Sequence, residues 1–372
     1  MSHDQIAGRL RLALERAAAE HDISPDAWQA IERRLRRHIW RRRVIAAVCA
    51  VIIGAAAVAA PVLWGAGSGP ATGLRHPRPV PQLVIVSRTH LSRAITNLAA
   101  GYGGVWVVAP GVVYRVDLAT GRKVAAIRVP GTDEIVSDIA TGAGSVWVTS
   151  EAAHRGVYRI DPRRNRVTAF IPLPPTPTGI TVAYGLVWVS EPKAGPGVVV
   201  RIDPRTNRAS GPPIQVGTGP GAAVAGFGAL WVSNGNLDGS VSQISPAAGA
   251  VTRTLVNIPN VAAAGAGSLW VTPIHGGLQR VDPATGKVTA TIGLPNAVGV
   301  TLWAGSAWIS TNPPAALVRV DLASNQIIGK AARDGTSPIY ITASSTGLWV
   351  VNSATGDLLH LALTTRHQAP RQ

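Results

Sequence analysis

The side chains best suited to catalysis or ligand binding are carboxylates, amides and histidines in loops between short apolar strands. Nine such residues and one lysine lie in loops that directly follow tryptophan-centred strands, which places them together at one end of the predicted fold: Glu151, His154, Glu191, Lys193, Asn234, Asn236, Asp238, His275, Asn312 and Asn352. Binding residues are often carried on loops that a rigid scaffold positions. This set predicts a ligand-binding face, and an ordinary solvated loop surface is the competing interpretation.

Familiar catalytic patterns are missing from the sequence. It contains no convincing GxSxG, HExxH, P-loop or strand-associated GxGxxG motif. Its single cysteine, Cys49, excludes an intrachain disulfide and a cysteine-based metal site. We therefore predict no catalytic residue, no cofactor and no metal site, and the sequence favours a binding protein over an enzyme.

Arginine dominates the charge of the chain. The formal net charge is +16, and residues 65–372 hold 25 Lys/Arg against 13 Asp/Glu. Five arginines stand in turns expected at the end of the fold opposite the ten loop residues: Arg163, Arg164, Arg166, Arg205 and Arg208. Such a surface predicts binding to an anionic polymer, and a charge that serves only solubility is the alternative. No aromatic residues are interleaved with these cations in the sequence, so stacking of single-stranded nucleic acid is not predicted.

The elements that position these residues are set by a repeat. A small-residue turn followed by a tryptophan-centred strand recurs seven times, at spacings of 38 to 43 residues, with tryptophans at 106, 147, 188, 231, 270, 308 and 349. A period near forty that is filled with short strands and turn residues is typical of a β-propeller.

A second repeated feature is the turn after the third strand of each unit. It reads DLATG, DPRRN, DPRTN, SPAAG, DPATG and DLASN, always ending in Gly or Asn, the residues that tolerate a left-handed backbone. An arginine often stands two residues before the turn aspartate, as in Arg115, Arg159 and Arg280. Residues two apart share a strand face, so we predict a ladder of Arg–Asp ion pairs.

The last repeat lacks a fourth strand, while an unassigned strand, Leu83–Arg88, precedes the first repeat. That strand is expected to complete the last blade and close the ring, because closure removes exposed sheet edges. The prediction is an all-β, seven-bladed β-propeller of four-stranded antiparallel blades over residues 82–365, followed by a tail at 366–372.

The N-terminal part predicts a membrane anchor. Residues 44–64 form an uncharged, apolar stretch of 21 residues, long enough to cross a bilayer. The preceding run RRLRRHIWRRR, residues 33–43, is expected to stay in the cytoplasm. This predicts a single-pass protein with a cytoplasmic N-terminus and an extracytoplasmic propeller. A cleaved signal peptide is the competing interpretation.

Two further segments flank this stretch. Residues 1–43 contain apolar stripes at helical spacing and predict a short amphipathic helical segment, either a membrane-proximal stub or a docking site for a cytoplasmic partner. Residues 65–81 are rich in Gly and Pro and predict a linker.

Two stretches of the repeat region resemble known propeller families. VRIDPRTNRASGPPIQVGTGPGAAVAGFGALWVSN, residues 200–234, resembles a YVTN-type repeat, and FIPLPPTPTGITVAYGLVWVSE, residues 170–191, is similar to a blade of virginiamycin B lyase-like propellers. The lyase resemblance implies a histidine and glutamates around magnesium. Here only His154 and His275 stand in such loops, and the later blades depart from the family's Trp-Phe-x-Glu ending, so no catalytic residue is transferred.

The function predicted from the sequence is a non-catalytic ligand- or partner-binding module, a sensor or scaffold, held at the cell membrane by residues 44–64. Two alternatives stay open. One is a lyase-like, metal-dependent enzyme, and the other is a binder of an anionic cell-surface polymer. Nucleic acid is not an expected partner of an outward-facing domain.

Overall fold

The computed structural model describes residues 82–92, 94–129, 136–151, 154–173, 176–273, 277–312, 314–331 and 338–364. Every described residue belongs to one compact unit, Pro70–Gln372. The predicted segments 1–43, 44–64, 65–81 and 366–372 lie outside the described residues. Within the described ranges, no helix has the length and apolarity needed to cross a membrane.

The described residues form seven antiparallel sheets that follow one another along the chain. The first strand, β1, spans Gln82–His90. Blade 1 then consists of β2 (Asn97–Gly101), β3 (Gly104–Ala109), β4 (Val112–Asp117) and β5 (Lys123–Arg128). Blade 2 consists of β6 (Val136–Gly142), β7 (Ser145–Ser150), β8 (Gly156–Asp161) and β9 (Arg166–Pro172).

Blades 3 and 4 depart slightly from this pattern. Blade 3 consists of β10 (Gly179–Ala183), β11 (Leu186–Lys193), β12 (Gly195–Asp203), β13 (Arg208–Ala209) and β14 (Ile214–Thr218). Blade 4 consists of β15 (Ala223–Gly226), β16 (Ala229–Ser233), a one-turn helix α1 (Gly235–Asp238), β17 (Ser240–Ser245) and β18 (Ala250–Val256). The outer strand of blade 3 is divided into β13 and β14. It is broken because Pro212 and Pro213 have no backbone N–H for the ladder.

Blades 5 to 7 complete the ring. Blade 5 consists of β19 (Val261–Gly265), β20 (Ser268–Val271), β21 (Leu278–Val281) and β22 (Val288–Ile292). Blade 6 consists of β23 (Ala297–Trp303), β24 (Ser306–Thr311), β25 (Ala316–Asp321) and β26 (Ile327–Ala331). Blade 7 consists of β27 (Pro338–Ala343), β28 (Leu348–Asn352) and β29 (Asp357–Thr364).

The predicted closure is confirmed by the pairing of β1. This strand joins blade 7 as its outer strand, antiparallel to β29, with Gln82 opposite Thr364 and His90 opposite Asp357. Asp357 fixes the end of this pair, since its carboxylate accepts a hydrogen bond from Nδ1 of His90 at 2.9 Å and lies 3.6 Å from Nη1 of Arg88. The chain is a seven-bladed propeller of four-stranded antiparallel blades, closed by the most N-terminal of its described strands.

The repeated tryptophans form the core between blades. Each indole Nε1–H donates a hydrogen bond to a group five residues earlier, as Trp106 does to the Gly101 carbonyl oxygen at 3.0 Å. Trp106 packs with Val146 and Val148 of the next blade, and Trp349 of blade 7 packs with Val105 of blade 1. The apolar part of each indole is buried between blades, and its polar N–H is hydrogen-bonded. These two contributions explain why tryptophan recurs at this position in every blade.

The predicted Arg–Asp ladder is wrong. No ion pair among the described residues joins Arg115, Arg159 or Arg280 to the aspartate two residues later. Instead, each guanidinium lies about 5 Å from the centre of its own blade's tryptophan ring and reaches into the turn of the following blade. The turn aspartates accept hydrogen bonds from amides of their own turns, as Asp117 does from Thr120 at 2.9 Å. Short local donors therefore satisfy the carboxylates, and the arginines link blades.

Candidate functional site

The two ends of the propeller carry different sets of predicted binding residues. The loop face is the end where the chain passes from second to third strands and from blade to blade. The turn face is the opposite end, with the turns between first and second and between third and fourth strands. The predicted loop residues that the structure describes belong to the loop face, and the five predicted arginines belong to the turn face, because antiparallel strands alternate direction within each blade.

On the loop face, the predicted residues remain distributed over several blades. Among them, Glu191, Asn234 and Asn352 are buried, Glu151 and Asn312 are half-buried, and His154, Lys193 and Asp238 are exposed. His275 and the side chain of Asn236 lie outside the described residues. The exposed imidazole of His154 meets the ring of Phe170 edge-on, with centroids 6.2 Å apart.

Glu191 is the most unusual of the predicted loop residues. Its side chain ends β11 and is only 2% exposed, and its Oε1 has no hydrogen-bond partner among the described atoms. Burial raises the pKa of this carboxyl group to about 7, while the charge of Lys193 acts in the opposite direction. A carboxyl group of this kind can hold or release a proton near neutral pH.

Asn234 and Asp238 form a local network that shapes one loop. Nδ2 of Asn234 donates hydrogen bonds to the hydroxyl oxygens of Ser240 and Ser242, both at 2.9 Å. Asp238 accepts a hydrogen bond of 2.7 Å from the backbone N–H of Thr218 and another from the Ser240 hydroxyl. The Asp238 contact to Thr218 holds α1 against β14, and the Asn234 contacts tie the end of β16 to β17. Oδ1 of Asn234 is buried without a hydrogen-bond partner among the described atoms.

Sequence reasoning missed Asp138, at the loop-face end of β6. Its carboxylate accepts hydrogen bonds from Nδ2 of Asn97 in blade 1 at 2.7 Å, from N–H of Ile139 at 2.8 Å and from N–H of Ile180 in blade 3 at 2.9 Å. Burial raises its pKa to about 7 against these hydrogen bonds, which lower it. Asp138 thus ties three blades together. The sequence held one signal for this role: Asp138 stands at the same repeat position as Asn97, which lies 41 residues before it.

The loop face does not assemble a metal centre from described residues. No three His, Cys, Asp or Glu side chains among them come close enough together to hold an ion. Asp138 and Glu191 are the described carboxyl groups whose pKa values are raised towards neutrality.

The turn face contains a groove that the sequence did not predict. It extends over blades 1 to 3, has a volume of about 990 Å³, and is lined by Tyr102, Arg115, Gly144, Ser145, Arg159, Asp161, Pro162, Arg163, Arg164, Thr168 and Asn207. Four arginines and one aspartate give this lining a net charge of +3. We call it the arginine groove. Its volume is at the upper end of the range of ligand pockets.

The structure divides the five predicted polyanion-binding arginines into two groups. Arg163 and Arg164 line the arginine groove. Arg166, Arg205 and Arg208 are exposed on the turn face outside the groove lining. Arg164 pairs with Asp161 at 2.8 Å, and Arg163 makes no ion pair among the described residues. Arg163 therefore offers an uncompensated positive charge to the groove.

The inner arginines of the groove are oriented by neutral groups. Nη1 of Arg115 donates to the carbonyl oxygen of Pro162 at 2.7 Å, and Nη1 of Arg159 donates to the carbonyl oxygen of Pro204 at 2.6 Å. Carbonyl oxygens position a guanidinium without cancelling its charge. The positive charge of both guanidinium groups therefore remains available to a ligand in the groove. Both side chains are already ordered before a ligand binds.

Comparison with known proteins places the fold in context. A family described as a repeat of unknown function, DUF6923, matches residues 105–191. A search of curated proteins finds no match to this chain. Two solved structures of virginiamycin B lyase from Staphylococcus aureus, one of them a catalytically inactive variant with quinupristin, are 19% identical, each with a TM-score of 0.64, over 77% of this chain and all of theirs.

A computationally designed protein, Ika8, is 10% identical with a TM-score of 0.56, and the match covers 73% of this chain and 97% of the designed one. At these identities the likeness concerns the fold. It confirms a virginiamycin B lyase-like propeller architecture, and propellers of one architecture host unrelated functions.

Proposed function

We propose that this protein is a non-catalytic binding propeller that recognises an anionic ligand in the arginine groove. The observation that carries the proposal is the net charge of +3 in a groove of about 990 Å³ whose inner arginines are held by neutral partners. Guanidinium groups bind phosphate and carboxylate oxygens through two parallel N–H donors. A ligand with several anionic groups along its length matches both the size and the charge of the groove.

We further propose that residues 44–64 anchor the chain in the membrane, with the propeller outside the cytoplasm. The support is the length of the uncharged stretch and the basic run at residues 33–43. In this arrangement the ligand is an anionic polymer of the cell surface, and the protein acts as a sensor or scaffold. Residues 65–372, which would lie outside the membrane, carry a net charge of +12 and would attract such polymers over long distances at low salt.

Binding of inorganic polyphosphate to the full chain in detergent, measured over a range of salt concentrations, tests this proposal. Counterion release predicts that log K falls linearly with log salt, with a slope of about −2 to −3 for a groove of this charge. An affinity that does not change with salt, or no binding at low salt, would overturn the proposal.

A lyase-like enzyme is the second candidate, favoured by the likeness in fold to virginiamycin B lyase and by Glu191, whose pKa of about 7 suits acid–base chemistry. Magnesium-dependent opening of a cyclic ester would support it. The activity should then be lost in Glu191→Gln and in alanine variants of His154 or His275. A purified chain without such activity would leave the binding proposal as the only candidate.

A further inference from the structure

Three exposed aromatic residues occupy backbone positions that aromatic residues rarely adopt. Tyr102, Tyr184 and Phe227 stand at the same repeat position, four residues before the blade tryptophan, in the turns between first and second strands. Their φ angles are 51°, 53° and 55°, in the left-handed region where a bulky side chain is unfavourable. Their side chains are 40%, 45% and 46% exposed.

Core packing does not explain these rings, because the equivalent turns of other blades use small residues. Ala143, Ala266 and Ala304 hold the same position with φ of 50°, 51° and 48°. Each of the six turns continues with a glycine of positive φ, as in a type I′ hairpin, for which asparagine is the favoured first residue. Strain that is kept at exposed positions points to function.

Two of the rings are held in fixed orientations. The hydroxyl of Tyr102 accepts a hydrogen bond of 2.7 Å from the N–H of Gly144 in blade 2. The hydroxyl of Tyr184 donates one of 3.0 Å to the carbonyl oxygen of Ala229 in blade 4. Each tyrosine therefore reaches across to the following blade while much of its ring remains exposed. A ring that is already ordered loses little entropy when a ligand packs on it.

The rings lie on the same face as the positive charge. Tyr102 itself lines the arginine groove, next to Arg115, Arg159 and Arg163. Blade 2, over which the groove is centred, carries the small Ala143 at the aromatic position, between the tyrosines of blades 1 and 3. The turn face thus combines flat apolar surfaces with cations, although the two kinds of residue are not interleaved in the sequence.

From this combination we infer that the ligand of the arginine groove is an acidic polysaccharide. The C–H face of a sugar ring packs on an exposed aromatic ring, and its carboxylate or phosphate groups pair with the arginines. The inference rests on the proposed function, including the position of the propeller outside the cytoplasm, which favours a cell-surface glycan over nucleic acid.

The test compares three polymers on the full chain: polygalacturonate, which has sugar rings and charge, inorganic polyphosphate, which has charge alone, and a deoxythymidine oligonucleotide. The decisive variant is the double substitution Tyr102→Asn with Tyr184→Asn, which removes the rings of the two blades on either side of blade 2. Asparagine adopts a left-handed backbone readily, so the turns are retained while the rings are lost. Ala266→Asn with Ala304→Asn is the matched control, at the same turn position in blades 5 and 6. The thermal midpoint of each variant verifies that it is folded.

We expect the aromatic double variant to bind polygalacturonate about fivefold more weakly or worse, a loss of about 1 kcal/mol, while its affinity for polyphosphate and the affinities of the control stay unchanged. Unchanged polygalacturonate binding, or an oligonucleotide that binds more tightly than polygalacturonate and depends on the rings, would overturn the inference and leave anion binding intact. If polyphosphate also fails to bind the parent chain, the proposed function itself is wrong.

Discussion

Arg115 of blade 1 donates a hydrogen bond of 2.9 Å from Nη1 to Oδ1 of Asn165 in the turn of blade 2. The same contact joins Arg159 to Asn207 and Arg280 to Asn325, both at 2.8 Å. In each of the three turns that end in asparagine, the asparagine thus accepts a hydrogen bond from an arginine of the preceding blade. Asparagine at this position serves two purposes, since it tolerates the left-handed backbone and accepts the hydrogen bond between blades.

The first prediction concerns this contact between blades. Asn165→Gly should lower the free energy of unfolding by about 1 kcal/mol, because glycine keeps the backbone conformation but removes the acceptor for Arg115. The same substitution in an Arg115→Met background should cost almost nothing, since the donor is already absent. Chemical denaturation of the four proteins in this double-mutant cycle provides the measurement. Equal costs in both backgrounds would show that the contact contributes nothing to stability.

The second prediction concerns Nε of Arg115. Nε of Arg159 donates to the hydroxyl oxygen of Ser145 at 2.8 Å, whereas Nε of Arg115 is buried without a partner because Gly104 stands at the equivalent position. A Cβ added at Gly104 would lie 3.1 Å from this Nε and from Cγ of Arg115, and 3.2 Å from the carbonyl oxygen of Val116, so the Arg115 side chain must move slightly to admit it. Gly104→Ser should be more stable than Gly104→Ala by about 1 kcal/mol, because serine supplies the missing acceptor.

Gly104→Ala is the control for that substitution. It reduces the entropy of the unfolded chain as serine does but supplies no acceptor, so the alanine variant should be the less stable of the two. A serine variant that is no more stable than the alanine variant would contradict the assignment of a missing hydrogen bond at Arg115.

The third prediction concerns ring closure. Deleting residues 82–89 removes nearly all of β1, exposes the edge of β29 and leaves Asp357 without its neighbour Arg88. The thermal midpoint of the propeller should fall sharply, by about 10 °C or more, because blade 7 then lacks an outer strand. A midpoint that is unchanged in calorimetry would mean that the ring does not depend on this strand.

The fourth prediction is a dependence of stability on pH. Glu191 and Asp138 have folded-state pKa values of about 7, above the ordinary values of 4.5 and 3.8. Between about pH 4 and pH 7 the folded state therefore binds more protons than the unfolded state, and stability falls as pH rises. Glu191→Gln should remove its share of this fall, about 1 to 3 kcal/mol. Denaturation curves for both proteins at pH 5 and pH 8 measure the difference, and parallel pH profiles would contradict it.

A large part of the fold was predictable from the sequence. The tryptophan repeat predicted seven blades, and the missing last strand together with residues 83–88 predicted the closure, because both follow from local patterns that repeat. The asparagines and glycines of the turns were predicted to adopt positive φ, and Asn165, Asn207 and Gly249 do so.

The site was much less predictable, because it depends on contacts between blades. The arginines before the turn aspartates were expected to pair within their own strand, and they reach the next blade instead. Likewise, Tyr102 and Arg163 are 61 positions apart in the sequence and line one groove only because blades 1 and 2 are neighbours. The membrane segment at residues 44–64 stays a prediction. Protease treatment of intact cells should digest the propeller and spare the first 40 residues, and a protected propeller would refute the orientation.

The most direct test of anion binding in the arginine groove is a comparison of two charge-matched double variants of the full chain. Arg163→Glu with Arg164→Glu reverses two charges that line the groove, and Arg205→Glu with Arg208→Glu reverses two exposed charges outside its lining. Isothermal calorimetry with polyphosphate at physiological salt should show at least a tenfold loss of affinity, about 1.4 kcal/mol, for the first variant and a much smaller loss for the second. Equal losses in both variants, or none in either, would contradict a specific site in the groove.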